Sequence, residues 1–309
     1  MSKILVTPRS FGKTYPEAFA ELEAAGHIVV RNTGGSIFTK EQMLGQVRDV
    51  EGIIVGVDPL DSDVIAAAPA LKAIAKYGTG TDNIDLACAR ERGIAVSTTA
   101  GANAMAVADY TFALILACCR RVVSIDKQCH TRDWRKVVTQ DVHGKTLGII
   151  GLGAIGKAVA RRASGFDMRV LAYRRKWDED YAKANNIEFA SPAEIFRTAD
   201  IITLHLPLND ATRNIVDAEA IASMKDGAVL VNTARGGLID EAALVTALRS
   251  GKLYAAGLDA FSEEPPSCSE LYELDNLIMG SHCAASSIGA SSEMTKMAAR
   301  NIIRDLQGA

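Results

Sequence analysis

Short apolar runs alternate along the chain with longer stretches whose apolar positions recur at helical spacing. In the first third, Lys3–Thr7, His27–Val30, Gly52–Gly56, Leu71–Tyr77 and Ile94–Thr98 read as strands. Between them Tyr15–Ala25, Lys40–Asp49 and Ile84–Arg92 read as helices. Strands that are apolar almost throughout, with helices in between, predict a parallel sheet covered on both faces. The stretch Ala104–Val123 is apolar nearly all round, which predicts one long helix buried between domains or against a second subunit.

The same rhythm resumes after Gly144. Strands are predicted at Thr146–Gly151, Met168–Arg174, Ile201–Leu206, Ala228–Thr233, Tyr254–Asp259 and Leu277–Ser281, and helices at Ile155–Ser164, Ala193–Arg197 and Glu241–Arg249. A last helix, Ile288–Gln307, has no strand after it. The simplest arrangement returns it to the first sheet. That makes residues 100–283 a domain inserted into one built from 1–99 and 284–309, with the loop Ser262–Ser269 as an irregular site loop or lid.

Length and charge narrow the classes. A chain of 309 residues can support two domains, each with its own core. A net charge of −3 offers no electrostatic reason for nucleic acid or an anionic membrane as a partner. Met1-Ser2-Lys3 leads into only a short apolar run, and no later run approaches the ~20 residues of a membrane span. A cytoplasmic protein is expected. The six cysteines form no C-x-x-C pair and no metal-ligand spacing, so reduced thiols and no metal are expected.

The most informative motif is Gly151-Leu152-Gly153-Ala154-Ile155-Gly156, a G-x-G-x-x-G that follows a predicted strand and opens a predicted helix. That context turns a common glycine hexad into a dinucleotide fingerprint. Gly151 permits the tight turn, Gly153 lets the backbone approach a pyrophosphate, and Gly156 permits close helix–strand packing. The phosphates would rest on unpaired amides of the helix start, around Ala154 and Ile155. The next strand ends Tyr173-Arg174-Arg175-Lys176, three cations where a carboxylate would hold the NAD ribose. Arg174 and Arg175 suit a 2′-phosphate, because a guanidinium fork binds phosphate bidentately. The cations favour NADP(H), with NAD(H) as the alternative.

Three further residues lie just past predicted strands of the second run: Arg235, Glu264 and His282. Ligands of open parallel sheets bind outside the carboxyl ends of the strands, so these residues can converge despite their spacing. Reduction of a 2-oxo acid needs a cation for the carboxylate and carbonyl oxygen, and an acid for the forming alkoxide. Arg235 suits the first role and His282 the second, with Glu264 holding the imidazole. His205, ending its strand, is read as lining the cofactor site. His27, His130 and His143 lie outside the pattern and are read as structural.

On these residues the chain resembles the D-isomer-specific 2-hydroxyacid dehydrogenases, the group containing phosphoglycerate dehydrogenase, glyoxylate/hydroxypyruvate reductase and formate dehydrogenase. The resemblance runs from about Leu71 to the C-terminus and is carried by Gly148–Gly156, Asn232-Thr233-Ala234-Arg235-Gly236-Gly237, Gly257–Phe261 leading to Glu264-Pro265, and His282. It implies an α/β architecture of two doubly wound parallel-sheet domains, a Rossmann cofactor domain inserted in a flavodoxin-like substrate domain. It implies closure of the domains over a small 2-oxo or D-2-hydroxy acid. The apolar stretch Ala104–Val123 itself suggests a homodimer. Asp259 is implied to contact the nicotinamide carboxamide, with Pro207, Thr212, Thr233 and Ala234 on the cofactor side. The backbone amides of Gly78-Thr79-Gly80, together with Asn103, are implied to take the substrate.

The departures are specific. Ser281 replaces the usual proline before the histidine, and Arg174 the usual aspartate. Ile53–Val57 carries no arginine where phosphoglycerate-specific members place a phosphate-binding cation, which leaves phosphoglycerate dehydrogenase proper as an alternative only. The chain ends soon after its last helix, so no C-terminal serine-sensing domain is expected. A dinucleotide-sensing protein like the corepressors built on this scaffold is the rival from another class.

Overall fold

The computed structural model describes Met1–Gly308 and divides the chain into two compact units, Met1–Asn103 with the chain from Ala285 onward, and Ala104–Ala284.

The first unit holds β1 (Lys3–Val6), β2 (Ile28–Arg31), β3 (Gly52–Val55), β4 (Ala73–Lys76) and β5 (Ala95–Thr98). All pairs are parallel, in the order β2-β1-β3-β4-β5, the flavodoxin-like winding. β3 and β4 are buried along their whole length, while β2 at one edge is half exposed. One face packs Leu5, Ile53, Val55 and Ile74 against Met43, Val47, Val64 and Ile65. The other packs Ile4, Val6, Ile54, Ala73 and Ala75 against Ala298, Ala299 and Ile302. The C-terminal helix Ile288–Gln307 is therefore part of this core. Its approach is close: a methyl group on Gly52 would lie 3.1 Å from a Leu306 methyl.

The second unit holds β6 (Thr146–Ile150), β7 (Arg169–Tyr173), β8 (Ile187–Phe189), β9 (Ile201–Leu204), β10 (Ala228–Asn232), β11 (Leu253–Leu258) and β12 (Leu277–Met279). They form one parallel sheet in the order β12-β11-β10-β9-β6-β7-β8. The winding reverses at β6, whose neighbours are β7 and β9, and that reversal opens a crevice at the carboxyl ends where dinucleotides bind in such sheets.

Two sequence expectations change here. Ala104–Val123 is not one helix. It ends at Cys119, Arg121 takes a left-handed φ of 54°, and a second helix runs Val122–His130. Two adjacent arginines in an apolar run mark the break: Arg120 is exposed, and the Arg121 guanidinium lies 5.2 Å from the centre of the Tyr254 ring. Part of the apolar surface of Ala104–Cys119 packs within its own unit, where Phe112, Leu114, Ile115, Cys118 and Cys119 share a core with Leu147, Ile149, Val229 and Val231, while Met105 stays 47% exposed. The predicted strands lose their last residue or two to loops, which places Gly151, Arg174, His205, Thr233 and Asp259 at the carboxyl edge. Short helices at Ser62–Ala66, Glu179–Ala184 and Ala218–Ser223, together with edge strand β8, were not visible in the pattern. Among the described residues no helix is long and apolar enough to cross a membrane.

Candidate functional site

The turn after β6 is built for close backbone approach. Gly151 has φ 113°, and a methyl group there would lie 2.4 Å from the His205 carbonyl oxygen, so the loop after β9 passes directly over it. A methyl on Gly156 would lie 2.2 Å from the Gly151 carbonyl oxygen. Gly153 faces open space and is the N-cap of the helix Ala154–Ala163, with no side chain capping it. An uncapped helix start whose N-cap has clear space in front fits a pyrophosphate.

Around this turn Arg174 is half-buried and Arg175 exposed, and neither joins an ion pair among the described residues. The neighbouring carboxylate is taken: Asp178 pairs with Lys157 at 2.8 Å, which holds its carboxyl below the ordinary range. Thr212 closes its own loop by donating to the Pro207 carbonyl at 2.7 Å. Thr233 and Thr111 share a hydrogen bond of 2.9 Å, and the Ala234 amide donates to Asn232 Oδ1 at 2.9 Å.

Three loops then pack on one another. A methyl on Gly236 would lie 1.8 Å from the Phe261 carbonyl carbon, so the loop after β10, carrying Arg235, is pressed against the loop after β11, carrying Glu264. A methyl on Gly280 would lie 2.2 Å from Asp259 Oδ1. That contact brings in the loop after β12, which carries His282. Glycine is required at both positions by contact. His282 Nδ1 lies 2.9 Å from Glu264 Oε2 and 3.0 Å from Oε1, and the Phe261 amide donates to Oε1 at 3.2 Å. With Nδ1 on the carboxylate, Nε2 is the nitrogen left to exchange a proton. The His282 side chain is 50% exposed and Glu264 39%, so the pair orients the ring more than it stabilises the fold. Arg235 is half-buried, with one N–H on the Ala234 carbonyl at 2.8 Å.

The sequence reading missed what surrounds Asp259. This carboxylate accepts the Cys283 amide on Oδ1 at 3.0 Å and the Ala284 amide on Oδ2 at 2.8 Å. The Cys283 thiol lies 3.6 Å from Oδ1 and 3.4 Å from the Tyr110 hydroxyl. Burial and the thiol push the Tyr110 phenol above its ordinary range. The one available signal was Tyr110 as a polar residue inside an apolar helix.

In the first unit Gly78 has φ 136°, and its amide already donates to Thr99 Oγ1 at 2.9 Å. The amides of Thr79 and Gly80 have no partner among the described residues. Asn103 Oδ1 is buried without a partner.

Residues 112–284 match the family model for the D-isomer specific 2-hydroxyacid dehydrogenase, NAD binding domain. A glyoxylate reductase of Korarchaeum cryptofilum is 38% identical over 278 residues, spanning 87% of this chain and 84% of that one. A D-3-phosphoglycerate dehydrogenase of Methanocaldococcus jannaschii is 39% identical over 312 residues, spanning 100% of this chain and 58% of its own length. The solved D-lactate dehydrogenase of Aquifex aeolicus, complexed with NAD and lactic acid, superposes with TM-score 0.87 at 28% identity, covering 99% of this chain and 96% of that one.

His205 supplies a test of the local burial. Its Nε2 lies 3.1 Å from Thr203 Oγ1, Nδ1 is buried without a partner, and burial pushes the imidazole down to about 3. The folded value lies below the ordinary 6.5, so the stability that the neutral ring carries is complete above pH 6.5 and drains away as pH falls toward 3. His205→Gln should therefore lose less stability than the parent between pH 7 and pH 5, by about 2 kcal/mol at most. Urea titrations at the two pH values measure this, and equal losses would show that the ring is protonated in the folded protein.

Proposed function

The chain belongs to the D-isomer specific 2-hydroxyacid dehydrogenase family, and from that premise we propose how its residues share the work. It is an oxidoreductase that moves a hydride between a nicotinamide cofactor and C2 of a small 2-oxo or D-2-hydroxy acid. The observation that carries the assignment of roles is the imidazole–carboxylate pair of His282 and Glu264, 2.9 Å apart at the sheet edge that also bears the glycine-rich turn.

In this reading His282 is the acid/base. Nδ1 donates to Glu264, which fixes the ring plane, and Nε2 hands its proton to the oxygen on C2 during reduction or takes it back during oxidation. Arg235 polarises that oxygen and holds the carboxylate, and the amides of Thr79 and Gly80 with Asn103 provide further donors for the acid. The bound cofactor supplies or accepts the hydride. Gly151, Gly153, Ala154, Ile155 and Gly156 would cradle its pyrophosphate, and His205, Pro207, Thr212, Thr233 and Ala234 would line the rest of its path, while Asp259, buried under the His282 loop, shapes that loop beside it. Arg174 and Arg175 select NADP(H) over NAD(H) by pairing with the 2′-phosphate.

The chain also self-associates in this reading. The contact uses the exposed apolar side chains of the stretch Ala104–Val123, Met105, Val122 and Val123, together with Trp134 and Val138, which are 47%, 54%, 41%, 81% and 96% exposed.

His282→Ala should lower kcat by roughly 10² to 10⁴, the usual contribution of a general acid. Absorbance of the reduced nicotinamide with a panel of 2-oxo acids reads this directly, and near-full turnover would remove His282 from the chemistry. Arg174→Asp should move the ratio of kcat/KM for NADPH over NADH toward NADH by about tenfold or more, the worth of one charge-assisted phosphate contact. An unmoved ratio would leave Arg174 a solvated surface charge.

A further inference from the structure

We propose that Tyr110 is a positioning residue for His282: its hydroxyl holds the chain on both sides of the histidine and so fixes where the imidazole points. The inference rests on the proposed role of His282 as acid/base. It starts from the backbone. His282 has φ 55°, a left-handed conformation that a residue with a Cβ keeps only when its neighbours are held. The ring has little packing of its own, since the side chain is 50% exposed. Its direction therefore comes from Glu264 and from the residues around it in the chain. Asp259 holds Cys283 and Ala284 by their amides, at 3.0 and 2.8 Å. Tyr110 adds a second anchor. Its oxygen lies 3.4 Å from Cys283 Sγ, and a methyl on Gly280 would stand 2.7 Å from it. The phenol thus rests against the residue two before His282 and the residue one after.

The helix Ala104–Cys119 delivers that oxygen with little freedom. Leu114 and Cys118 pack on Gly257 of β11, where a methyl would lie 3.0 Å from Leu114 Cβ and 3.3 Å from Cys118 Sγ. Tyr110 stands one turn before Leu114 on the same face, which carries its ring to the residues that follow β11. The next residue, Thr111, shares its 2.9 Å hydrogen bond with Thr233 on the loop after β10. One turn of this helix therefore touches two loops of the site. The Tyr110 ring is partly buried against the core that contains Phe112 and Ile149, and a hydroxyl at the end of such a ring needs a polar partner. It takes the thiol. Burial and then Cys283 push the phenol above its ordinary range, so it stays a neutral hydroxyl near the Asp259 carboxylate.

A tyrosine that only fills the core gives different results from one that aims the histidine. Tyr110→Phe keeps the ring and deletes the oxygen. Its kcat for reduction of a 2-oxo acid should fall about threefold to tenfold, the worth of one neutral hydrogen bond, with KM for the reduced nicotinamide held within about twofold. The fall should vanish in a His282→Ala background, because a residue acting through the imidazole then has nothing to position. Cys283→Ala removes the same contact from the other side, and the double variant with Tyr110→Phe should lose no more than the larger single loss. Turnover equal to the parent's, a nicotinamide KM that rises in step with the fall of kcat, an equal fall in both backgrounds, or losses that multiply in the double variant overturns the proposal. Nitrogen-15 spectra of the histidine ring decide the same point without turnover. In the parent the neutral ring should carry its proton on Nδ1, and in Tyr110→Phe the proton should divide between Nδ1 and Nε2. Identical rings in parent and variant contradict the positioning role. A parent that reduces no 2-oxo acid would instead strike at the proposed chemistry, and the spectra would still judge Tyr110.

Discussion

The Asp259 carboxylate, only 1% exposed, accepts the amides of the two residues that follow His282, and the placement of the imidazole follows from that. A buried carboxylate must be satisfied, and here the donors come from Cys283 and Ala284. Meeting them forces His282 to φ 55°, a conformation that costs a residue with a side chain about 1–3 kcal/mol. Two hydrogen bonds to a charged group contribute about 1.5–3 kcal/mol each, so the anion wins over the strain. The ring is held from below by a buried charge and from the side by Glu264.

The same logic of close approach builds the rest of the edge. Gly236 lets the Arg235 loop press on Phe261, Gly280 lets the His282 loop press on Asp259, and Gly151 lets the loop after β9 cross the glycine-rich turn. Each contact joins loops that leave neighbouring strands, so the parallel sheet sets their order and the glycines set their distance. The first unit uses a different device at its own carboxyl edge. There, backbone amides at Thr79 and Gly80 are offered by a sheet whose polar interior is already satisfied through Thr7, Asp58, Lys76 and Asn83.

Much of this was legible in the residues. Uniformly apolar strands such as Ile53–Val55 and Val229–Val231 can be satisfied only by a sheet covered on both faces, so the architecture follows from composition at single positions. The hexad Gly151–Gly156 was readable because its strand and helix flank it. The elements that escaped are those whose signal is short or non-local. β8 is three residues long with two of them exposed, and the helix Glu179–Ala184 buries only Ala182, so neither leaves an apolar period to detect. The break at Arg121 depends on one left-handed residue. The grip of Asp259 on Cys283 and Ala284 spans a separation that no local pattern encodes.

The claim most exposed to direct measurement is that His282 presents Nε2 because Nδ1 donates to Glu264. Nitrogen-15 spectra of histidine-labelled protein at alkaline pH, with the His282 signals assigned by their loss in His282→Gln, report which ring nitrogen carries the proton in the neutral ring. The account predicts a protonated Nδ1 and a bare Nε2. A ring with its proton on Nε2 would contradict it.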